Sequence, residues 1–277
     1  MIPLRDDNPT RRVPAVTILL ILLNIGVYFL VQPQGQQLLG RIDTDMAESE
    51  SSRFTFQYAA IPCEVTTGEP LSPAELPSDE DVDNCMRGQQ GPPVFPDKSV
   101  WLAVVFSMFF HGSLIHLGGN LLFLWVFGNN IEDHLGTVRY LFFYLLAGIV
   151  ATGAHVLLQP DSTIPLVGAS GAVAGVMGAY LIWFPNAPVL TAFFFIIVLF
   201  REIAAKWLLG FWFVSQFFIN PNAGVAWAAH VGGFVFGVGV GLLVRSSRAA
   251  RKVAWRDRYL EPSGTADPWF DGPRGRF

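Results

Sequence analysis

Residues 168–184 read GASGAVAGVMGAYLIWF, an uncharged stretch that opens with three small residues, the third of which is Ser170. A second uncharged stretch, residues 226–244, carries His230, sixty residues beyond that serine. Ionisable side chains are costly inside a membrane, so they normally face an interior site that uses them. A hydroxyl and an imidazole have the chemistry of a nucleophile and its base. The two stretches therefore predict a hydrolytic site within a membrane bundle.

The composition is that of a membrane protein rather than a soluble domain. Hydrophobic residues make up 52% of the 277 residues, charged residues only 14%, and the mean hydropathy is +0.42. Soluble domains carry roughly a quarter of their residues as charges. The net charge of −4, with no basic helix and no aromatic RNA-binding pattern, argues against a nucleic-acid partner. The lipid bilayer is the expected partner.

Six apolar stretches are candidates to cross the hydrocarbon core of a bilayer, which is about 30 Å thick. They are residues 13–32, 113–131, 139–158, 168–184, 202–219 and 226–244. The first could instead be a cleaved signal peptide, but its apolar run exceeds the usual length and no small-residue cleavage site follows. The sequence thus predicts an all-α membrane protein built as a six-transmembrane-helix bundle.

Two apolar segments do not fit a simple span. Residues 101–112 are too short and suit a buried or interfacial segment. Residues 187–219 are interrupted by Arg201, Glu202 and Lys206, so we expect 187–200 to be interfacial or re-entrant. Two full helices in this region would need about forty residues, which makes that alternative weaker.

Polar segments divide the chain. Its parts are an N-terminal tail 1–12, a first span 13–32, a polar loop or small extramembrane subdomain 33–99 with weak secondary-structure signals, a core 100–245 with five further spans, and a tail 246–277 rich in Gly and Pro. Cys63 and Cys85 both fall in the loop. A disulfide and two free thiols are equally compatible with this spacing.

The lysines and arginines orient the bundle through the positive-inside rule. With the N terminus in the cytoplasm, fourteen of the eighteen basic residues fall on the cytoplasmic side. The four on the outside are Arg41, Arg53, Arg87 and Lys98. We therefore expect both termini to be cytoplasmic.

Four polar residues far apart in sequence share one predicted depth. At 1.5 Å per helical residue, Ser170, His230, His116 and Asn120 each lie roughly 5–10 Å below the outer surface. Glycines spaced by four, at Gly171 and Gly175 in one helix and at Gly233, Gly237 and Gly241 in the other, let helix backbones approach closely. Tight packing alone would explain these glycines, but the approach would also bring the hydroxyl to the imidazole.

The predicted chemistry is that of a Ser–His dyad. His230 would take the proton of Ser170 and later return it to the leaving amine. Backbone amides at the start of the Ser170 helix could stabilise an oxyanion, as could the side-chain amide of Asn120 with help from His116 one turn earlier. A polar pair that only holds helices together is the alternative for these two. The one nearby carboxylate, Glu202, lies at the cytoplasmic end beside Arg201.

No metal and no cofactor are expected. His111 and His116 are five residues apart, no HExxH helix or Cys-rich partner occurs, and a zinc protease would need a third ligand. Glu132 and Asp133 fall at the opposite membrane face. His111 precedes the span and is expected to anchor a loop.

Three motifs in order resemble those of the rhomboid intramembrane serine proteases of the bacterial type. They are the run from His111 through His116 to Asn120, the GASG sequence at 168–171, and the run from Ala229 to Gly237. The opening MIPLRDDNP and the segment Tyr58–Pro62 are also similar.

The resemblance implies a six-helix bundle in which a short helix bearing the nucleophile Ser170 lies below a water-filled cavity, with His230 as base. It implies an oxyanion hole made by Asn120, His116 and the Ser170 amide. Structural roles are implied for Gly168, Gly171, Gly233, Gly237, His111 and Glu132. Substrates would be transmembrane proteins, cut near the outer face of the membrane. Ala174 stands where some relatives place an aromatic residue against the imidazole, so the orientation of that ring stays open.

Two other classes of function compete with a protease. A rhomboid-like pseudoprotease would bind membrane clients without cleaving them, but such proteins usually lack the nucleophile or the base. A transporter would need polar groups through both leaflets, whereas here they cluster at one depth.

Overall fold

The computed structural model describes residues 1–77, 85–86, 91–194, 198–220 and 225–245. Its helices in chain order are α1 Ala15–Leu30, α2 Pro33–Leu38, α3 Thr44–Tyr58, α4 Pro62–Thr67, α5 Val100–Phe106, α6 Leu114–Leu135, α7 Thr137–Leu158, α8 Ser170–Trp183, α9 Ala205–Ser215 and α10 Trp227–Arg245. The predicted tail 246–277 lies outside the described residues.

The described helices form a membrane bundle. Three of them, α6, α7 and the Trp227–Val244 part of α10, are long and apolar enough to cross a bilayer. Helices α1 and α8 are apolar but shorter. The helical membrane bundle is therefore confirmed, while the count of six spans stays a prediction.

Helix α8 is the central helix of the bundle. It packs against α6, α7, α9 and α10, and every residue from Gly171 to Tyr180 is buried. Glycines and alanines make up more than half of that stretch. Because their side chains are so small, the neighbouring backbones can pack closely on several sides of one helix.

A three-stranded antiparallel sheet departs from the predicted all-α fold. Its strands are β1 Ile2–Asp6, β2 Pro188–Phe194 and β3 Val198–Ala204, with β2 in the middle. The N-terminal tail 1–12 thus contains β1, and the segment 187–200 contains β2 and the start of β3, while the interfacial or re-entrant position of that segment stays a prediction. Pro185 and Pro188 prevent α8 from continuing, and the β-branched and aromatic residues that follow favour strands.

The predicted span 202–219 begins three residues too early, because the sheet includes its first residues. Residues 202–204 belong to β3, and α9 begins at Ala205. Eleven residues later α9 passes into a 3-10 turn at Gln216–Phe218.

The loop 33–99 is more regular than its sequence indicates. It contains α2, α3 and α4, and a disulfide joins Cys63 to Cys85. A buried ion pair joins Glu64 to Lys98, with Oε2 and Nζ 2.5 Å apart. These long-range links order a polar segment whose local propensities are weak.

Candidate active site

Ser170 and His230 form the centre of the candidate site. Ser170 is the first residue of α8, and His230 lies in the first turn of α10. The Oγ atom of Ser170 lies 2.8 Å from Nε2 of His230. This is hydrogen-bond distance, and it is the geometry in which an imidazole can accept a hydroxyl proton.

Close backbone packing brings these two residues together. A Cβ atom added at Gly233 would collide with the carbonyl group of Gly171, and one added at Gly237 would collide with that of Gly175. The glycines thus place α8 and α10 in direct backbone contact over two turns. Side chains of ordinary size would hold the helices farther apart and lengthen the Ser170–His230 contact.

Hydrogen bonds to Ala60 and Ser107 hold the loop before Ser170. Gly168 has φ +127°, a conformation that residues with a side chain rarely adopt. Its amide donates to the carbonyl of Ser107 (2.9 Å), and the Oγ of that serine accepts from the amide of Ala60 (2.6 Å). Leu166 in turn donates to the carbonyl of Ala60 (2.7 Å). Residues 60 and 107 therefore fix the backbone that leads into the serine.

His116 borders the site next to that loop. A Cβ built on Gly168 would lie 2.8 Å from Cε1 and Nε2 of the His116 ring and 3.5 Å from Oγ of Ser170. The ring therefore occupies the space beside the serine. Asn120, one turn further along α6, is buried and donates its side-chain amide to the His116 carbonyl (3.0 Å).

The remaining predicted residues lie around this centre or away from it. His111 is fully buried, and both its backbone N–H and C=O pair with the side chain of Gln32 (2.9 and 3.0 Å). Its ring lies edge-on to that of His116, with centroids 5.1 Å apart. Glu132 lies near the far end of α6 and accepts from the amides of Val16 and Thr17 (2.9 and 2.8 Å), so it caps α1 rather than touching the site.

Two residues at the site were not predicted from the sequence. Gln216 places its Oε1 atom 2.8 Å from Nδ1 of His230. The indole of Trp212 lies beside the same imidazole, with ring centroids 5.8 Å apart and planes 40° apart. The only sequence signal was an amide side chain within the apolar run WFVSQFFI at 212–219. Among the described residues, no carboxylate forms a hydrogen bond with His230.

The arrangement holds the parts that acyl transfer requires. It has a hydroxyl hydrogen-bonded to a base, a second partner on the other side of that base, and the backbone amides of the first turn of α8, which have no acceptor within the helix itself. Asn120 and His116 add polar groups on the neighbouring helix.

Comparison with known proteins places this chain in one family. Residues 98–247, more than half of the chain, match the Rhomboid domain. Rhomboid protein 1, mitochondrial, of Saccharomyces cerevisiae is 29% identical over 61% of this chain and 47% of its own length. Rhomboid-type serine protease 2 of Emericella nidulans is 28% identical over 76% of this chain and 42% of its own length. Rhomboid protease GluP of Bacillus subtilis is 37% identical over 29% of this chain and 15% of its own length.

The chain thus spans less than half the length of each of these relatives. The domain match includes Ser170, His230 and all of the helices that carry the site. On the extent of that match, the chain is an integral membrane protein that belongs to the rhomboid family.

Proposed function

We propose that this chain is an intramembrane serine endopeptidase that hydrolyses peptide bonds of transmembrane proteins near the outer membrane face. The observation that carries the proposal is the 2.8 Å contact between Oγ of Ser170 and Nε2 of His230, inside an otherwise apolar bundle. The names of the relatives, which include a rhomboid protease and a rhomboid-type serine protease, support the same class of reaction.

The first half of the reaction forms an acyl-enzyme. Ser170 Oγ attacks the carbonyl carbon of the scissile peptide while His230 Nε2 accepts the hydroxyl proton. The carbonyl oxygen becomes an oxyanion, which the amide of Ser170 and the side chains of Asn120 and His116 would stabilise. His230 then donates its proton to the peptide nitrogen, the C–N bond breaks and the amine product leaves.

The second half returns the enzyme to its starting state. A water molecule attacks the ester carbon while His230 accepts one of its protons. The tetrahedral intermediate collapses to a carboxylic acid, and the proton on His230 passes to the departing Oγ of Ser170. The side-chain amide of Asn120 donates one N–H to the His116 carbonyl (3.0 Å), which leaves its second N–H for the oxyanion. Such contacts often form only in the complex with substrate.

The proposed orientation places both termini in the cytoplasm of a bacterial cell, with the site near the outer leaflet. The excess of lysine and arginine on the N-terminal side of the bundle supports it. So does the disulfide between Cys63 and Cys85 in the loop assigned to the outside, because disulfides persist in oxidising compartments.

Cleavage of a single-span model substrate in liposomes tests the proposal. Ser170→Ala and His230→Ala should each lower the cleavage rate by more than about 10³-fold. Ser162→Ala, which changes a buried serine in the loop before α8, serves as the matched control and should keep the wild-type rate. A fluorophosphonate should label the wild type and not Ser170→Ala. Equal labelling of the two, or binding of the substrate without cleavage by the wild type, would refute the proposal and favour a pseudoprotease.

A further inference from the structure

Gln216 is a buried amide whose position the dyad alone does not explain. It follows the last residue of α9 and is only 4% exposed. Its Oε1 atom lies 2.8 Å from Nδ1 of His230, while Nε2 of the same ring lies 2.8 Å from Ser170. The imidazole is therefore held between an amide and the hydroxyl, one at each nitrogen.

A second contact decides which way the amide points. The Nε2 atom of Gln216 lies 3.0 Å from the carbonyl oxygen of Trp212 and 3.3 Å from Oγ of Ser215. A backbone carbonyl can only accept, so the amide NH₂ group must face it. The amide oxygen is then the atom that faces His230.

The direction of the amide dictates the tautomer of the imidazole. The Oε1 atom of Gln216 can only accept, so the His230 Nδ1 atom must carry the hydrogen. The Nε2 atom of a neutral ring then has a free lone pair, aimed at Ser170. The base is thus in the protonation form that can accept the serine proton. The carbonyl of Trp212, two hydrogen bonds away, is what selects this form.

We propose that Gln216 is a positioning residue that fixes the tautomer and the orientation of His230. The inference rests on the proposed protease function and deepens it, because it assigns the neutral counterpart of the acid in a Ser–His–Asp triad. A carboxylate at this depth would be a buried charge that costs free energy, whereas an amide provides the acceptor without one. The indole of Trp212, whose ring centroid lies 5.8 Å from that of the imidazole, limits the tilt of the His230 ring.

Kinetics of three variants in liposomes test the role. Gln216→Leu keeps a similar volume but removes the acceptor, and should lower kcat roughly ten- to a hundredfold with KM unchanged. Gln216→Glu, neutral at this buried site, can still accept from Nδ1 and donate to the Trp212 carbonyl, so it should stay within about tenfold of the wild type. Phe218→Leu changes an exposed residue of the same turn and should have no effect. A Gln216→Leu enzyme within about twofold of the wild-type kcat would overturn the inference.

Nitrogen-15 NMR of histidine-labelled protein tests the tautomer directly and needs no activity. The His230 signals, assigned by their loss in His230→Ala, should show a protonated Nδ1 and a free Nε2 in the wild type and a mixture of tautomers in Gln216→Leu. A wild-type ring with the hydrogen on Nε2 would overturn the inference. A wild type that neither cleaves nor reacts with fluorophosphonate would refute the protease function instead, and the NMR result would still decide the role of Gln216.

Discussion

The backbone of Gly233 in α10 lies against the carbonyl group of Gly171 in α8, with no room for a side chain between them. Since Gly171 adjoins Ser170 and Gly233 lies one turn beyond His230, this contact sets how closely the hydroxyl and the imidazole can approach. The packing of two glycines therefore controls a 2.8 Å hydrogen bond between two other residues.

We expect Gly233→Ala to impair cleavage by at least tenfold. The added methyl group must separate α8 from α10, at a cost of about 1–3 kcal/mol of stability, and it lengthens the Ser170–His230 contact. Gly239→Ala is the matched control on the same helix, because nothing lies within 4 Å of its added Cβ atom. It should keep full activity and gain up to about 1 kcal/mol through helix propensity. Cleavage rates and melting temperatures measure both effects, and equal activity of the two variants would contradict the prediction.

A change at Glu132 should weaken the fold without changing the chemistry. Its two carboxylate oxygens accept from the amides of Val16 and Thr17 and from the hydroxyl of Thr17 (2.9 Å), at the N-terminal end of α1. An anion that accepts at a helix N terminus is favourable through both the hydrogen bonds and the helix dipole. Glu132→Gln turns one acceptor into a donor that faces an N–H group, and should cost about 1–3 kcal/mol.

Thermal unfolding in detergent measures this loss, with Asp133→Asn as the control at the adjacent position. The cleavage rate per fluorophosphonate-labelled molecule should stay at the wild-type value in Glu132→Gln. A large drop in that normalised rate would mean that Glu132 acts in catalysis rather than as the cap of α1.

The parts of the fold that could be predicted are those whose signal is local. Long uncharged stretches indicated α6, α7 and α10, because a bilayer demands about twenty apolar residues. The glycine spacings on α8 and α10 predicted close contact between those helices, because small residues are the local mark of backbone contact. The residues 116, 120, 170 and 230 stood out as polar groups in apolar surroundings.

The parts that could not be predicted depend on distant partners. The apolar residues 189–194 are compatible with a strand or a buried helix, and what makes them a strand is pairing with residues near the N terminus, as between Ala192 and Ile2. Because β3 extends to Ala204, α9 starts only at Ala205, and the turn that follows α9 places Gln216 next to His230. The role of that glutamine is therefore a consequence of the sheet, which no local pattern could supply.

Substitution of Lys98 alone should lower the free energy of unfolding far more than substitution of Lys98 and Glu64 together. Their side chains are only 1% and 2% exposed. Burial raises the pKa of Glu64 and lowers the pKa of Lys98, although each faces its opposite charge. Such a pair adds little net stability, but removal of one member leaves a buried charge alone.

We expect Lys98→Met to cost about 3–5 kcal/mol, while Lys98→Met combined with Glu64→Gln should recover most of that loss. What remains in the double variant is the loss of the hydrogen bond that Lys98 Nζ donates to the Phe56 carbonyl (2.6 Å). In the wild type, a carboxylate oxygen of Glu64 accepts a hydrogen bond from the backbone amide of Leu71 (3.1 Å). The side chain introduced by Glu64→Gln keeps an oxygen that can accept the same bond. Resistance of the 33–99 loop to protease, together with the melting temperature, reports the effect. An equal loss of stability in the single and the double variant would show that the two charges are not coupled.

The sheet should dock more firmly on the bundle in mild acid than at neutral pH. Asp6 of β1 accepts from the hydroxyl of Tyr180 (2.7 Å) and from the side-chain amide of Asn130 (2.5 Å). Burial raises the pKa of Asp6 from 3.8 to about 6, despite the opposing effect of the Tyr180 hydrogen bond. A raised folded-state pKa means that the folded protein binds the proton more tightly than the unfolded chain does. Stability contributed by this group is therefore greatest below pH 4 and falls as the pH rises toward 6.

The rise in the pKa of Asp6 from 3.8 to about 6 corresponds to about 3 kcal/mol of stability. Asp6→Asn, which cannot ionise, should match the wild type near pH 4 and exceed its melting temperature at pH 7. Asp97→Asn, at an exposed carboxylate, controls for the loss of one charge. Melting curves of the three proteins between pH 4 and 7.5 test this directly. If the difference in melting temperature between the wild type and Asp6→Asn is the same at every pH in that range, Asp6 does not titrate there in the folded protein.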